Sequence, residues 1–215
     1  MLSELSKIRK FIFSDVKKSF LSYPEIMDAY NTFWLEMENN FLEASDSNLL
    51  ERFITDYLTI QKNGVIPKQE ELMCEFVEYY KDACRYQKKE LVLRNIYRYS
   101  AYFLKIFSGN IKDEEIQDKI NTINEFEAYD AYPFLMEVFE DYDYAHINKS
   151  MLLEILYTVI GFIEERNSAL PSPAALSFAG LSNEINRMMV LKDYIPRLVA
   201  DDVTKTDKTI NTLGK

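Results

Sequence analysis

Glycine is nearly absent from this chain, and that constrains its fold more than any other feature. Five glycines stand among 215 residues, beside fifteen tyrosines and fourteen phenylalanines. Tight turns and backbone-lined phosphate cradles both need glycine, because only glycine adopts left-handed dihedrals without strain and lets backbone amides approach a ligand. Here Gly64, Gly109, Gly161, Gly180 and Gly214 are isolated from one another. The pattern describes long helices joined by few turns, and it excludes a glycine-rich nucleotide loop.

The periodicity is helical almost throughout, with no sustained two-residue alternation and no Asn-Gly or Asp-Gly hairpin signal. Leu5, Ile8, Ile12 and Phe20 fit a first helix capped by Ser3. Pro24 suits the first turn of a second, with Met27, Tyr30 and Trp34 on one face. Asp46 or Ser47 opens a third, bearing Leu50, Phe53, Ile54, Tyr57 and Leu58 and ending at Asn63-Gly64. Pro67 begins a fourth, with Leu72, Phe76, Tyr79, Tyr80 and Ala83 inward. A fifth runs from about Lys89 to Phe107 and stops at Gly109. Asp113 caps a sixth with Ile116, Ile120 and Ile123 on its stripe. Pro133 starts a seventh, and Asn148 caps an eighth reaching about Asn167. Leu170-Pro171-Ser172-Pro173 is a break, followed by a ninth helix to about Leu191. The expectation is an all-α, compact array of about nine helices without a sheet, one domain over residues 1–200 and a polar tail over 201–215.

The formal charge is −10 and the isoelectric point near 4.8. Such a balance disfavours a general binder of nucleic acid or anionic membrane. The N-terminus is no signal peptide, and Met151–Ile163 is too short for a membrane span and is broken by Glu154. A cytoplasmic protein is expected, with Cys74 and Cys84 as two buried thiols in a reducing compartment.

Charge is uneven along the chain. From Lys81 to Lys105 the basic residues are Lys81, Arg85, Lys88, Lys89, Arg94, Arg98 and Lys105, against Asp82 and Glu90. From Lys112 to Tyr144 eleven acids face two lysines. Arg94, Arg98 and Lys105 share a helical face with Tyr102 one turn beyond Arg98, so these three are the candidate nucleic-acid contacts. The rival reading pairs them with the acidic helices that follow. His146, the single histidine, reads as a surface-loop residue; a dyad with Asp143 is the alternative. The run Glu140-Asp141-Tyr142-Asp143 lacks the spacing of a calcium loop and reads as a solvated helix end. Tyr79-Tyr80 and Tyr97/Tyr99 read as core and rim residues rather than a ligand cage. No catalytic residue, cofactor or metal site is expected from these residues.

Three motifs stand in order: Phe53-Ile54-Thr55-Asp56-Tyr57-Leu58-Thr59 followed by Ile66-Pro67; Ala131-Tyr132-Pro133-Phe134-Leu135 with Glu137; and Ala169-Leu170-Pro171 leading to Leu176 and Phe178. Ile8-Arg9-Lys10-Phe11-Ile12 precedes them. Over roughly Ile8 to Ile185 the chain resembles the central helical region of the GmrSD-type restriction family. The resemblance implies a ParB-like domain before the helical region, a His-Asn-His-type nuclease domain after it, and nucleotide-stimulated cleavage of foreign, often modified, DNA in bacterial phage defence. The Asp-Gly-Gln-Gln-Arg motif of the first domain and the histidine set of the nuclease are absent here. Where the family often carries an arginine pair before the Leu-Pro break, this chain has Glu164 and Glu165, with Arg166 beside them. The implied role is a non-catalytic middle domain whose partners are those flanking domains, or another copy of itself, with weak or no nucleic-acid binding alone. The alternative is an independent helical protein–protein interaction module.

Overall fold

The computed structural model describes residues 4–20, 25–44 and 48–168. These form eight helical rods and no strand. They are α1 (Glu4–Phe20); a continuous rod of α2 (Glu25–Ala29), a π-helical segment (Tyr30–Leu35) and α3 (Glu36–Glu43); α4 (Leu49–Gln61); α5 (Leu72–Tyr86); α6 (Lys89–Ser108); α7 (Glu114–Glu125); α8 (Tyr132–Asp143); and α9 (Lys149–Ser168). Each of the first eight expected helices has its counterpart among these rods. The ninth, the Leu-Pro break and the tail lie outside the described residues, as do the proposed caps Ser3, Asp46 and Ser47 and the turn proline Pro24.

Local chemistry explains most of the boundaries. Asp113 caps α7, its carboxylate accepting from the backbone amides of Glu115 and Ile116 at 3.2 and 3.3 Å. Asn148 does the same for α9 through the Met151 amide at 3.0 Å. Pro133 sits in the first turn of α8, where its missing donor costs nothing, and Phe134, Leu135, Val138 and Phe139 are all buried. Asn63 (φ 55°) and Gly64 (φ 85°) turn the chain out of α4. Pro67 does not start α5 directly; a 3-10 turn over Gln69–Glu71 precedes Leu72.

Gly109 ends α6 at φ 62°. A side chain there would be strained by the dihedral and would meet the Asn121 amide oxygen as well. Gly109→Ala is therefore expected to lower stability by about 1–2 kcal/mol, read as a shift in urea midpoint with unchanged slope.

The second rod is where local reading and structure part. Met27 is only half-buried, while Ile26, Ala29, Tyr30, Trp34, Met37 and Phe41 face the core. The π segment accommodates that set by adding an extra residue to a turn. It also brings Glu38 inside, where the carboxylate accepts from Arg9 Nε at 2.7 Å and Trp34 Nε1 at 3.1 Å. Two partners, one of them cationic, are what a buried carboxylate requires.

Helix α6 is the centre of the array. It packs on the π segment, α2, α3, α4, α5 and α8. Its buried stripe of Val92, Leu93, Ile96, Tyr99, Tyr102, Phe103 and Ile106 joins one apolar core that extends from Ile8 to Ile163. Phe103 is the hub of its aromatic portion, with ring centroids 5.8 Å from Phe41, 5.7 Å from Phe53, 6.4 Å from Phe107 and 5.5 Å from Tyr132. On the far side α9 packs chiefly on α7.

Candidate functional site

The three predicted contact residues lie on α6, and each meets different surroundings. Arg94 is exposed; it donates to Glu90 one turn back at 2.8 Å, with its guanidinium 5.4 Å from the Phe33 ring. Arg98 is half-buried. It bonds to Glu140 on α8, to the Asn95 amide oxygen at 2.5 Å, and to the Tyr144 hydroxyl. Lys105 is half-buried, its ammonium 5.7 Å from the Tyr102 ring and 5.5 Å from Phe139. The common face exists, but Arg98 spends its donors inside the domain and two lysine-facing rings hold Lys105. One of the pairings between the basic helix and the acidic segment, Arg98 with Glu140, is present.

Arg98 also belongs to a longer polar chain. The Tyr57 hydroxyl is wholly buried, and burial pushes its pKa well up; it shares a 2.5 Å hydrogen bond with the Tyr79 hydroxyl and accepts from Asn95 Nδ2 at 2.9 Å. Asn95 then accepts from Arg98, which pairs with Glu140, and Tyr99 donates to the other oxygen of Glu140. Hydrogen bonds thus cross the core from α5 through α4 and α6 to α8. At the α5 end Tyr79 and Asn95 reach a cleft of about 560 Å³ whose rim mixes Lys62, Lys81 and Arg85 with Glu75, Glu78 and Asp82.

A second buried polar group was not legible as a site. Arg52 and Asp56 lie one turn apart on the inward side of α4. The Arg52 guanidinium sits 4.1 Å from the Tyr129 ring and 4.6 Å from the Tyr132 ring, a cation clasped by two aromatic faces. Asp56 Oδ2 lies 3.9 Å from Arg52 Nε, too far for a hydrogen bond. Burial pushes the Asp56 carboxyl up to about 7; the Arg52 charge pulls the other way and Asp130 adds to the rise. Tyr132 donates to Asn124 Oδ1 at 2.8 Å, and Asn124 Nδ2 in turn caps the Ile106 and Phe107 carbonyls at the end of α6. The signal in the sequence was an Arg and an Asp four apart, flanking Phe53 and Tyr57 of an otherwise apolar face.

The remaining candidates resolve into structure. His146 is exposed and faces Asp141 at 3.4 Å, rather than Asp143. Of the acidic run, Glu140 is engaged by Arg98 and Tyr99, and among the described residues no cluster of three His, Cys, Asp or Glu can hold a metal ion. The tyrosine hydroxyls are spent on protein partners: Tyr79 meets Tyr57, Tyr80 reaches Asp15 at 3.3 Å, Tyr97 reaches Glu36 at 2.9 Å, and Tyr99 reaches Glu140. The expectation of two buried thiols is corrected, since Cys74 is exposed and Cys84 half-buried. The buried stripe of α5 is Leu72, Phe76 and Tyr80, and position 74 falls on the opposite side of the helix.

No described helix is long and apolar enough to cross a membrane. Comparison with known proteins yields no match: no family model, no curated protein and no solved structure corresponds to the chain.

Proposed function

We propose that this chain is a non-catalytic helical middle domain of a GmrSD-like, modification-dependent restriction protein, positioned between a nucleotide-sensing domain and a nuclease domain. The observation that supports the reading is spatial. Residues of the first two ordered motifs meet in one interior, where Tyr132 packs on the Arg52 that immediately precedes Phe53, and Tyr57 anchors the polar chain to α6. Short motifs far apart in sequence thus pack as one structural unit, as the reading of a single middle domain requires. The test is the parent protein with Arg94→Ala, Arg98→Ala and Lys105→Ala together. Unchanged DNA affinity removes α6 from DNA contact; a parent frame without ParB-like or nuclease segments removes the family reading itself.

On either reading the purified chain is expected neither to cleave DNA nor to hydrolyse nucleotides. Plasmid nicking that needs magnesium and vanishes on changing an acidic residue would overturn this.

One observation favours an independent interaction module instead. Leu42 is 72% exposed, Tyr86 81%, and adjacent Val65 and Ile66 58% and 61%. Val65 and Ile66, neighbours in the loop after α4, offer a small apolar surface to a partner. Flanking restriction domains would cover some of them in cis.

A further inference from the structure

The overall charge of −10 conceals a face of opposite sign. Helices α1 and α5 run side by side in the same direction: the Met73 amide donates to Glu4 at 3.1 Å, Phe11 meets Tyr80 at 5.7 Å between ring centroids, and Asp15 reaches both Tyr80 and Lys89. Ile8, Ile12 and Val16 turn α1 inward. Its exposed residues with described side chains are Arg9, Lys10, Phe13, Ser14, Lys17 and Lys18, and none is acidic. On α5 the exposed outer residues include Glu78, Lys81, Asp82 and Arg85, and Lys88 follows at the corner into α6. Lys81 lies 5.9 Å from the Phe11 ring, which places the two rows on one surface. Two acids of this seam are paired and partly buried, Asp15 with Lys89 and Glu4 with Lys7. On the α5 side Asp82, paired with Arg85, and Glu78 are exposed beside Lys81, so the uninterrupted positive charge is that of α1. Lys10, Lys17, Lys18 and Lys81 form no ion pair with a described residue, so their charge is displayed.

We infer that this α1–α5 face binds the phosphate backbone of nucleic acid without reading its sequence. Ammonium groups on long flexible stems neutralise phosphates and carry no base information. Membrane lipid is the poorer fit, because insertion needs apolar side chains beside the cations. The exposed aromatic residue of α1, Phe13, instead lies against Tyr30 with ring centroids 5.6 Å apart. The acids over residues 112–144 repel the same backbone, which confines contact to this face and keeps it weak. This inference rests on charge geometry and is independent of the restriction-family reading.

The experiment is fluorescence anisotropy with the full chain and labelled DNA, as mixed-sequence duplex and as single strand. Binding is expected at low salt, falling about a hundredfold between about 50 and 200 mM salt if roughly four phosphates are neutralised. Reversing Lys10, Lys17, Lys18 and Lys81 to glutamate is expected to abolish binding. Replacing them with glutamine should weaken it at least tenfold and flatten the salt dependence, with the helical circular dichroism unchanged. Lys149→Gln, at a cation of α9 paired with Asp113 and Glu115, should leave it intact. Absence of binding at the lowest salt overturns the proposal, as does equal binding by the glutamine variant. Tighter binding to polyglutamate or to phosphatidylserine vesicles than to either DNA also overturns it, and points to an acidic protein or a membrane.

Discussion

Phe103→Ala is expected to cost about 3–5 kcal/mol, a large share of the stability of a domain this size. The ring is wholly buried on the central helix and touches aromatic neighbours from three other elements: Phe41 of α3, Phe53 of α4 and Tyr132 of α8. The Arg52 guanidinium approaches the same ring at 5.6 Å. Removing it opens a cavity that no single helix can close, because the lining belongs to separate rods. A urea titration with matched slopes checks the size of the loss. Phe103→Leu, which keeps most of the volume, should recover more than half of it. A cost below about 1.5 kcal/mol for the alanine variant would mean that the rings collapse onto one another and that Phe103 is not their hub.

Asp56→Asn is expected to stabilise the protein, and more so as pH rises. The carboxyl has an ordinary pKa of 3.8 and is pushed to about 7 in the folded state, by burial first. The folded chain therefore holds a proton that the unfolded chain releases. Stability falls as pH climbs from about 4 to 7, and the full penalty applies above that. Glu137 acts with the same sign: burial, with Asp141 and Glu140 adding to it, raises its pKa from 4.5 to about 8. Asparagine at position 56 removes the ionisation while keeping the shape. Its gain over the native residue should be larger at pH 8 than at pH 5 by about 2–3 kcal/mol. Melting temperatures of both proteins across that range decide it. A parallel pair of curves would mean that Arg52 closes onto the ionised carboxylate and holds it charged at neutral pH.

What could be read in advance was what the chain writes locally. Asp113, Asn148, Pro133, Gly109 and Asn63-Gly64 act within one turn of themselves, so the helix ends expected at these residues coincide with those in the structure, whereas α5 starts at Leu72 and not at Pro67. The all-α class follows from the same signals. Features that depend on several elements at once were not legible. The π segment arises because Trp34, Met37 and Phe41 must all reach the core from one rod, and that demand comes from its neighbours. Arg52 and Asp56 look like an ordinary exposed i, i+4 pair until Tyr129 and Tyr132 close over them. The basic run was visible, but α6 alone could not show that Arg98 turns toward Glu140 or that Lys81 comes to lie over Phe11 of α1. Exposure of Cys74 was lost for a related reason: composition predicts an average environment, whereas the side of α5 is set by Leu72, Phe76 and Tyr80.

The Tyr30–Leu35 segment also carries a historical implication. An α-helix that gains one residue without losing either of its packed ends must absorb the surplus as a wider turn, and a π segment is that wider turn. Upstream of it Ile26 and Ala29 are seated in the core, and downstream Met37 and Phe41 are. A related chain one residue shorter in this window would keep both sets in place by reverting to a regular helix. A single-residue gap over Tyr30–Leu35, with no gap elsewhere in the rod, is the alignment to expect between this protein and its relatives.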